Sequence, residues 1–196
     1  MYSHPAADRV IDFMRSRPPR PGLRAIKLFM DGSLGSGTAW MLEPPHGMPL
    51  LTREQVEKIA RVALDTGYQV CAHAIGDAAN REVLAAYEAV RPEGDHRWRI
   101  EHAQHVHAGD FDRFRPWIAS VQPSHCVADR ALMEERVADR FDRCYPWTRM
   151  GALALGTDAP VESIDPRRTF HAAVTRGGWR TEHCLTAERA IHGTGG

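Results

Sequence analysis

Four side chains of this 196-residue chain are of the types that metal-assisted proton chemistry uses: Lys27, His73, His102 and Asp158. Neutral imidazoles are the commonest nitrogen ligands of Zn²⁺ and similar ions. A carboxylate beside such an ion can take a proton from water and later deliver it to a leaving group. Lys27 lies in an otherwise apolar strand, where an unpaired ammonium is costly to bury and tends to lose its proton. A neutral lysine can react with carbon dioxide to form a carbamate, an anionic oxygen ligand able to bridge two metal ions. Each residue also has a simpler reading. Lys27 can alternate outward to water, the two histidines can be unrelated polar strand ends, and Asp158 can cap a turn before Pro160.

The elements that must position these groups can be read from the hydrophobic pattern. Strands are expected at 24–30, from Tyr68 to the histidine at 73, at 97–103, at 117–121 and at 152–155. Helices are expected at 1–17, at 52–65 with Thr52 and Gln55 forming a capping box, at 78–90, at 110–114, over a charged stretch at 128–144, at 168–175 and from 186 to 192. Proline-rich sequence at Pro44, Pro45 and Pro49 keeps the segment after the first loop irregular. Such alternation argues for an α/β protein with a parallel sheet and crossover helices, either doubly wound or part of a barrel. No GxGxxG follows the first strand and no GxxxxGK[ST] occurs, which disfavours a nucleotide-binding domain. Lys27, His73, His102 and Asp158 are expected at the ends of the first, second, third and fifth strands, and polar residues gather at the carboxyl ends, where a (β/α)8 barrel keeps its active site.

Bulk composition excludes several classes. A net charge of +0 gives no electrostatic reason to expect nucleic acid or an anionic membrane as partner. No apolar run approaches the ~20 residues of a membrane helix, and the N-terminus shows no signal-peptide pattern. The four cysteines, Cys71, Cys126, Cys144 and Cys184, form no CxxC pair and read as reduced thiols of a cytoplasmic protein. Eleven histidines, with His102, His105 and His107 close together, hint at a metal or acid–base site.

Five motifs occur in order: Ile26-Lys27 through Asp31-Gly32, His73 through Gly76-Asp77, Arg99-Ile100-Glu101-His102-Ala103-Gln104, Ser120-Val121-Gln122-Pro123-Ser124-His125, and Gly156-Thr157-Asp158-Ala159-Pro160. In these the chain resembles the YtcJ-like branch (amidohydrolase family 3) of the metal-dependent amidohydrolase superfamily, which includes N-substituted formamide deformylases. The resemblance runs from about 22 to 192. It implies a TIM-like (β/α)8 barrel and hydrolysis of a non-peptide C–N bond, of amide or N-substituted formamide type, by metal-activated water. By position, Lys27 falls on the fourth-strand lysine, carboxylated in many members and bridging two metals. His73 and His102 fall on the fifth- and sixth-strand histidine ligands, and Asp158 on the eighth-strand aspartate that contacts metal and shuttles protons. Asp31, Asp77, Gln104, His125 and Arg176 fall in characteristic motifs and are expected behind the ligands or against substrate. His105 and His107 are expected in a loop. The implied cofactor is a divalent metal, one or two ions, with zinc expected and manganese or iron also suited to the ligand set.

The chain departs from the family pattern in one respect. Nothing in it matches the first-strand His-x-His pair; His105-Val106-His107 has the spacing but follows the wrong strand. The expectation is a single incomplete barrel domain over 1–196, corresponding to strands four to eight of a fold that typically needs about 250 residues. Two sheet edges and one sheet face are then left for a complementing chain or a homo-oligomer to cover, and the isolated chain is expected to be marginally stable or to aggregate. The competing reading is a non-catalytic, truncated remnant that keeps the shape of the site without its full metal complement.

Overall fold

The computed structural model describes residues 5–44, 46–90 and 93–195. Residues 1–4 of the first expected helix and Pro45 of the irregular segment lie outside the described residues. Five strands, β1 (Ala25–Phe29), β2 (Gln69–Ala74), β3 (Arg99–His102), β4 (Ile118–Val121) and β5 (Ala152–Leu155), form one sheet in the order of the chain. Every neighbouring pair is parallel. A doubly wound sheet reverses direction at a switch point; this sheet advances one strand at a time, as a segment of a barrel does.

Side chains alternate across the sheet, so register decides which residues share a face. Phe29 pairs with His73, His73 with Glu101, and Glu101 with Ser120, which places them on one side together with Lys27. The opposite side carries Leu28, Val70, Ala72, Ile100, Ala119 and Val121, all buried beneath helices. α1 (Pro5–Ser16), α2 (Arg53–Thr66) and α3 (Asp77–Val90) pack in sequence on the β1–β3 half. α4 (Pro123–Ala128), α5 (Arg130–Arg136), α6 (Pro166–Thr175) and α7 (Ala187–Gly195) complete the helical elements, with α7 against β5 and α4 against α6. Part of the core is aromatic: Tyr87 packs against both Trp98 and Trp117, which stack on each other with planes 17° apart.

The ends of α2 follow directly from its sequence. Thr52 accepts from the Gln55 N–H while the Gln55 side chain accepts from the Thr52 N–H, so two otherwise unpaired donors are satisfied at once. Gly67 stops the helix in a left-handed conformation, φ 79°, which favours a residue without Cβ. Two expectations need correction. The segment after β4 begins with a one-turn helix, α4, entered through Pro123 at its first position, a position that suits the fixed proline φ. The charged stretch that follows is broken into α5 and a 3-10 helix at Ala138–Arg143 with non-helical geometry at Arg140, rather than running continuously.

Candidate active site

The long connection after β1 is tied down before it can shape a site. Asp31, 1% exposed, accepts three backbone N–H bonds, from Trp40, Ile75 and Gly76. Burial pushes its carboxyl up to about 6, against the opposing pull of those donors. The side chain thus joins the β1 loop to the turn that ends β2. Asp77 does similar work one turn later: it accepts from the Leu42 N–H and from Arg143. Arg136 and Arg140 donate to the carbonyls of Leu34 and Pro44, closing the connection against the segment after β4.

His73, near the end of β2, donates from Nε2 to the Gly32 carbonyl at 3.0 Å, and Asp31 Oδ1 stands 3.6 Å from the same nitrogen. A neutral imidazole that donates through Nε2 keeps its lone pair on Nδ1. His102 is the last residue of β3, with φ 74°, an uncommon conformation for a non-glycine residue and one that costs roughly 1–3 kcal/mol. Asp158, three residues beyond β5, also has positive φ, 57°. Left-handed geometry at both positions turns their side chains at the carboxyl end of the sheet. The His73 and His102 rings meet edge-on, with centroids 4.5 Å apart.

His102, His125 and Asp158 converge: one ligand atom from each lies within 4.8 Å of the others. His125 Nε2 donates to Asp158 Oδ2 at 3.1 Å, and its Nδ1 is 4.0 Å from Glu162 Oε1. The buried Nδ1 of His102 has no hydrogen-bond partner. A buried imidazole nitrogen left unpaired calls for a ligand, because desolvation without compensation costs roughly 1–3 kcal/mol. Burial, reinforced by the neighbouring His73, pushes His102 down to about 3, and burial lowers His73 as well. Both imidazoles are therefore neutral at pH 7, the form that binds metal. Two nitrogens and a carboxylate oxygen suit a divalent first-row ion, so the residues fit the group that the sequence implied.

The cluster opens into a cavity of about 500 Å³, lined also by Lys27, His73, Gln104 and Asp129 with apolar walls from Phe29 and Val161. Lys27 is exposed on the same sheet face, its Nζ 5.5 Å from the Phe29 ring centre. Lys27, His73, His102, Gln104, His125 and Asp158 thus share one cavity. The expected set behind the ligands divides. Gln104 and His125 line the cavity, Asp31 stands behind His73, and Asp77 lies within the loop network. Arg176 does not reach the cavity: it is fully buried, stacks on Trp147 and Trp179, and donates to the carbonyls of Tyr145 and Trp179. His105 is buried with Nδ1 3.3 Å from Cys144 Sγ, and His107 caps a 3-10 helix by accepting from the Gly109 N–H. Asp129 was not singled out by the sequence. Its signal was its place four residues after His125, which is visible only once 123–128 is known to be helical.

A one-direction parallel sheet with polar groups gathered beyond its carboxyl ends is the build of a ligand-binding α/β barrel. The model of the amidohydrolase family matches residues 4–192. The chain belongs to that family. It is 35% identical over 185 residues to Protein LONG AFTER FAR-RED 3 of Arabidopsis thaliana, covering 85% of this chain and 32% of that protein. It is 32% identical over 189 residues to YtcJ of Bacillus subtilis (strain 168), covering 90% of this chain and 36% of that protein. The chain spans about a third of the length of these relatives. Among solved structures it is similar to an uncharacterized metal-dependent hydrolase from Pyrococcus horikoshii OT3, with TM-score 0.85, 29% identity and coverage of 94% of this chain and 42% of the other. No helix among the described residues is long and apolar enough to cross a membrane.

Proposed function

We propose that this chain carries half of the active site of a metal-dependent hydrolase that cleaves a non-peptide C–N bond in a small amide-type molecule. The observation that carries this reading is the His102, His125 and Asp158 cluster, with the unpartnered Nδ1 of His102, in a chain of the amidohydrolase family. His102 and Asp158 would hold the ion, joined by His125, with His73 and Lys27 on the β1–β2 side of the same cavity. A divalent ion there, zinc by preference of the ligands and manganese or iron as alternatives, supplies Lewis-acid polarisation of the carbonyl and acidification of water. Carboxylation of Lys27 would add an anionic oxygen ligand from β1.

The chain's own groups do the rest. Asp158 takes the proton of the attacking water and returns it to the departing amine. His125 Nε2 holds that carboxylate by a 3.1 Å hydrogen bond, which an ion shared by the two side chains would replace. Asp31 and the Gly32 carbonyl fix the ring of His73. Strained backbone at His102 and Asp158 keeps both side chains aimed into the cavity.

In this reading β1–β5 stand for strands four to eight of a barrel. The sheet face bearing Lys27 and Phe29 is then covered by further sequence of a longer polypeptide, a complementing chain or a second copy, in a cytoplasmic setting. The non-catalytic alternative rests on the missing His-x-His. A panel of amides and N-substituted formamides, assayed with added Zn²⁺, Mn²⁺ or Fe²⁺, separates the two. Metal-dependent release of amine that is abolished in Asp158→Asn supports the hydrolase; no turnover together with no retained ion after reconstitution supports the remnant.

A further inference from the structure

Asp129 is a charged group of the cavity that the hydrolytic scheme does not use. The single turn of α4 places it four residues beyond His125, and its N–H donates to the His125 carbonyl at 2.8 Å, so the two side chains share one helical face. Its position is built rather than loose. Tyr145 donates its hydroxyl to Asp129 Oδ2 at 3.0 Å. Gln104, only 4% exposed, donates its amide to Tyr145 Oη and lies 3.4 Å from the same carboxylate oxygen. Tyr145 is also tied back through its own N–H, which donates to the Gln104 carbonyl. Both donors converge on Oδ2, and among the described residues Oδ1 accepts no hydrogen bond. No ion pair joins Asp129 to Lys27 or to any other described cation, although Lys27 lines the same cavity. Apolar wall is provided by Phe29, Leu34, Ile75 and Val161.

The consequence is electrostatic. A neutral ligand filling this cavity would strip water from the Asp129 carboxylate and leave Oδ1 unmatched, which disfavours such a ligand. A ligand carrying a cationic nitrogen would meet Oδ1 with a charge-assisted hydrogen bond and lay its hydrocarbon on the apolar wall. We propose that Asp129, held by Tyr145 and Gln104, is the specificity residue that receives a cationic group of the substrate, so that the preferred amides bear an ammonium or similar charge away from the scissile bond. The proposal rests on the hydrolase reading for the word substrate, but the subsite itself requires neither metal nor turnover.

The test is therefore a binding measurement on the whole chain without added metal. Cyclohexylmethylamine, protonated at pH 7, is compared with cyclohexylmethanol and cyclohexanecarboxylate by NMR titration. The ammonium should bind roughly tenfold more tightly than the alcohol, the scale of one hydrogen bond to a charged group, and the carboxylate least well. Asp129→Asn, which retains an acceptor for Tyr145, should bring ammonium and alcohol to parity, with alcohol binding and the backbone spectrum showing that the fold persists. Asp129→Lys should reverse the order in favour of the carboxylate. Equal binding of ammonium and alcohol by the unmodified chain, or an ammonium preference that survives in Asp129→Asn, overturns the proposal. An Asp129-dependent preference in a chain that hydrolyses nothing would sink the hydrolase reading and leave the subsite standing.

Discussion

At the scale of single residues, burial has tuned the imidazoles of this chain toward the neutral form. His105 is the clearest case outside the cluster: it is buried beside Cys144, and desolvation pushes its imidazole down to about 4. Its unfolded value is near 6.5, so below that pH the unfolded chain binds a proton that the folded one refuses. Stability attributable to His105 is thus complete at neutral pH and is lost as pH falls from about 6.5 toward 4. His73 and His102 act in the same direction. Asp31 opposes them, since a raised carboxyl contributes most below its unfolded value and loses that contribution as pH rises toward about 6. Urea melts at pH 7 and pH 5 should show His105→Gln losing about 2 kcal/mol less than the parent between the two. An identical pH response in both would show that the buried ring is not what senses acid. Residue types also mislead. Arg176 is a candidate for the site because the resemblance places it in a characteristic motif, yet its guanidinium is sandwiched with Trp147 and Trp179 inside the core.

At the scale of elements, the strands and long helices were readable because each has a period. The α2 capping box and the bounds of β5 coincide with the pattern, and β3 is shorter than expected, with positive φ at Arg97 and Ala103 flanking it. What periodicity cannot show is a single helical turn. α4 has six residues, too few to display a face, yet it brings His125 to Asp158 and Asp129 to Gln104. The β1 connection is similarly opaque in sequence, because its shape comes from distant donors and from close approach of backbones. Gly76 shows this most directly: a Cβ there would lie 2.0 Å from the Trp40 carbonyl oxygen, which is backbone and cannot yield easily. Gly76→Ala should cost about 3 kcal/mol and loosen the 31–42 loop. Hydrogen exchange would then accelerate at the N–H groups of Trp40 and Leu42, which Asp31 and Asp77 hold in the parent. Unchanged protection at both would show that the loop does not depend on that approach.

At the scale of the whole molecule, the helices among the described residues cover one side of the sheet. Phe29 is 52% exposed on the other face, beside Lys27, and among the described residues β1 and β5 each pair on one side alone. Open edges and an uncovered face favour association. Sedimentation velocity on the isolated chain should show mass rising with concentration, reduced by Phe29→Glu; a compact monomer that melts cooperatively at every concentration would contradict this. The sequence carried the family and the order of the motifs, whereas the convergence of His125 with His102 and Asp158 needed the third dimension.

His102, His125 and Asp158 are proposed here to hold a divalent ion at the mouth of this sheet, and cobalt reports on such a site directly. Titrating Co²⁺ into the chain and recording its visible d–d absorption should give a saturable spectrum of nitrogen and oxygen ligation. That spectrum should be competed away by Zn²⁺, abolished by His102→Ala and by Asp158→Ala, and weakened by His125→Ala. A folded chain that gives no such spectrum, or one whose spectrum survives all three substitutions, would contradict the account.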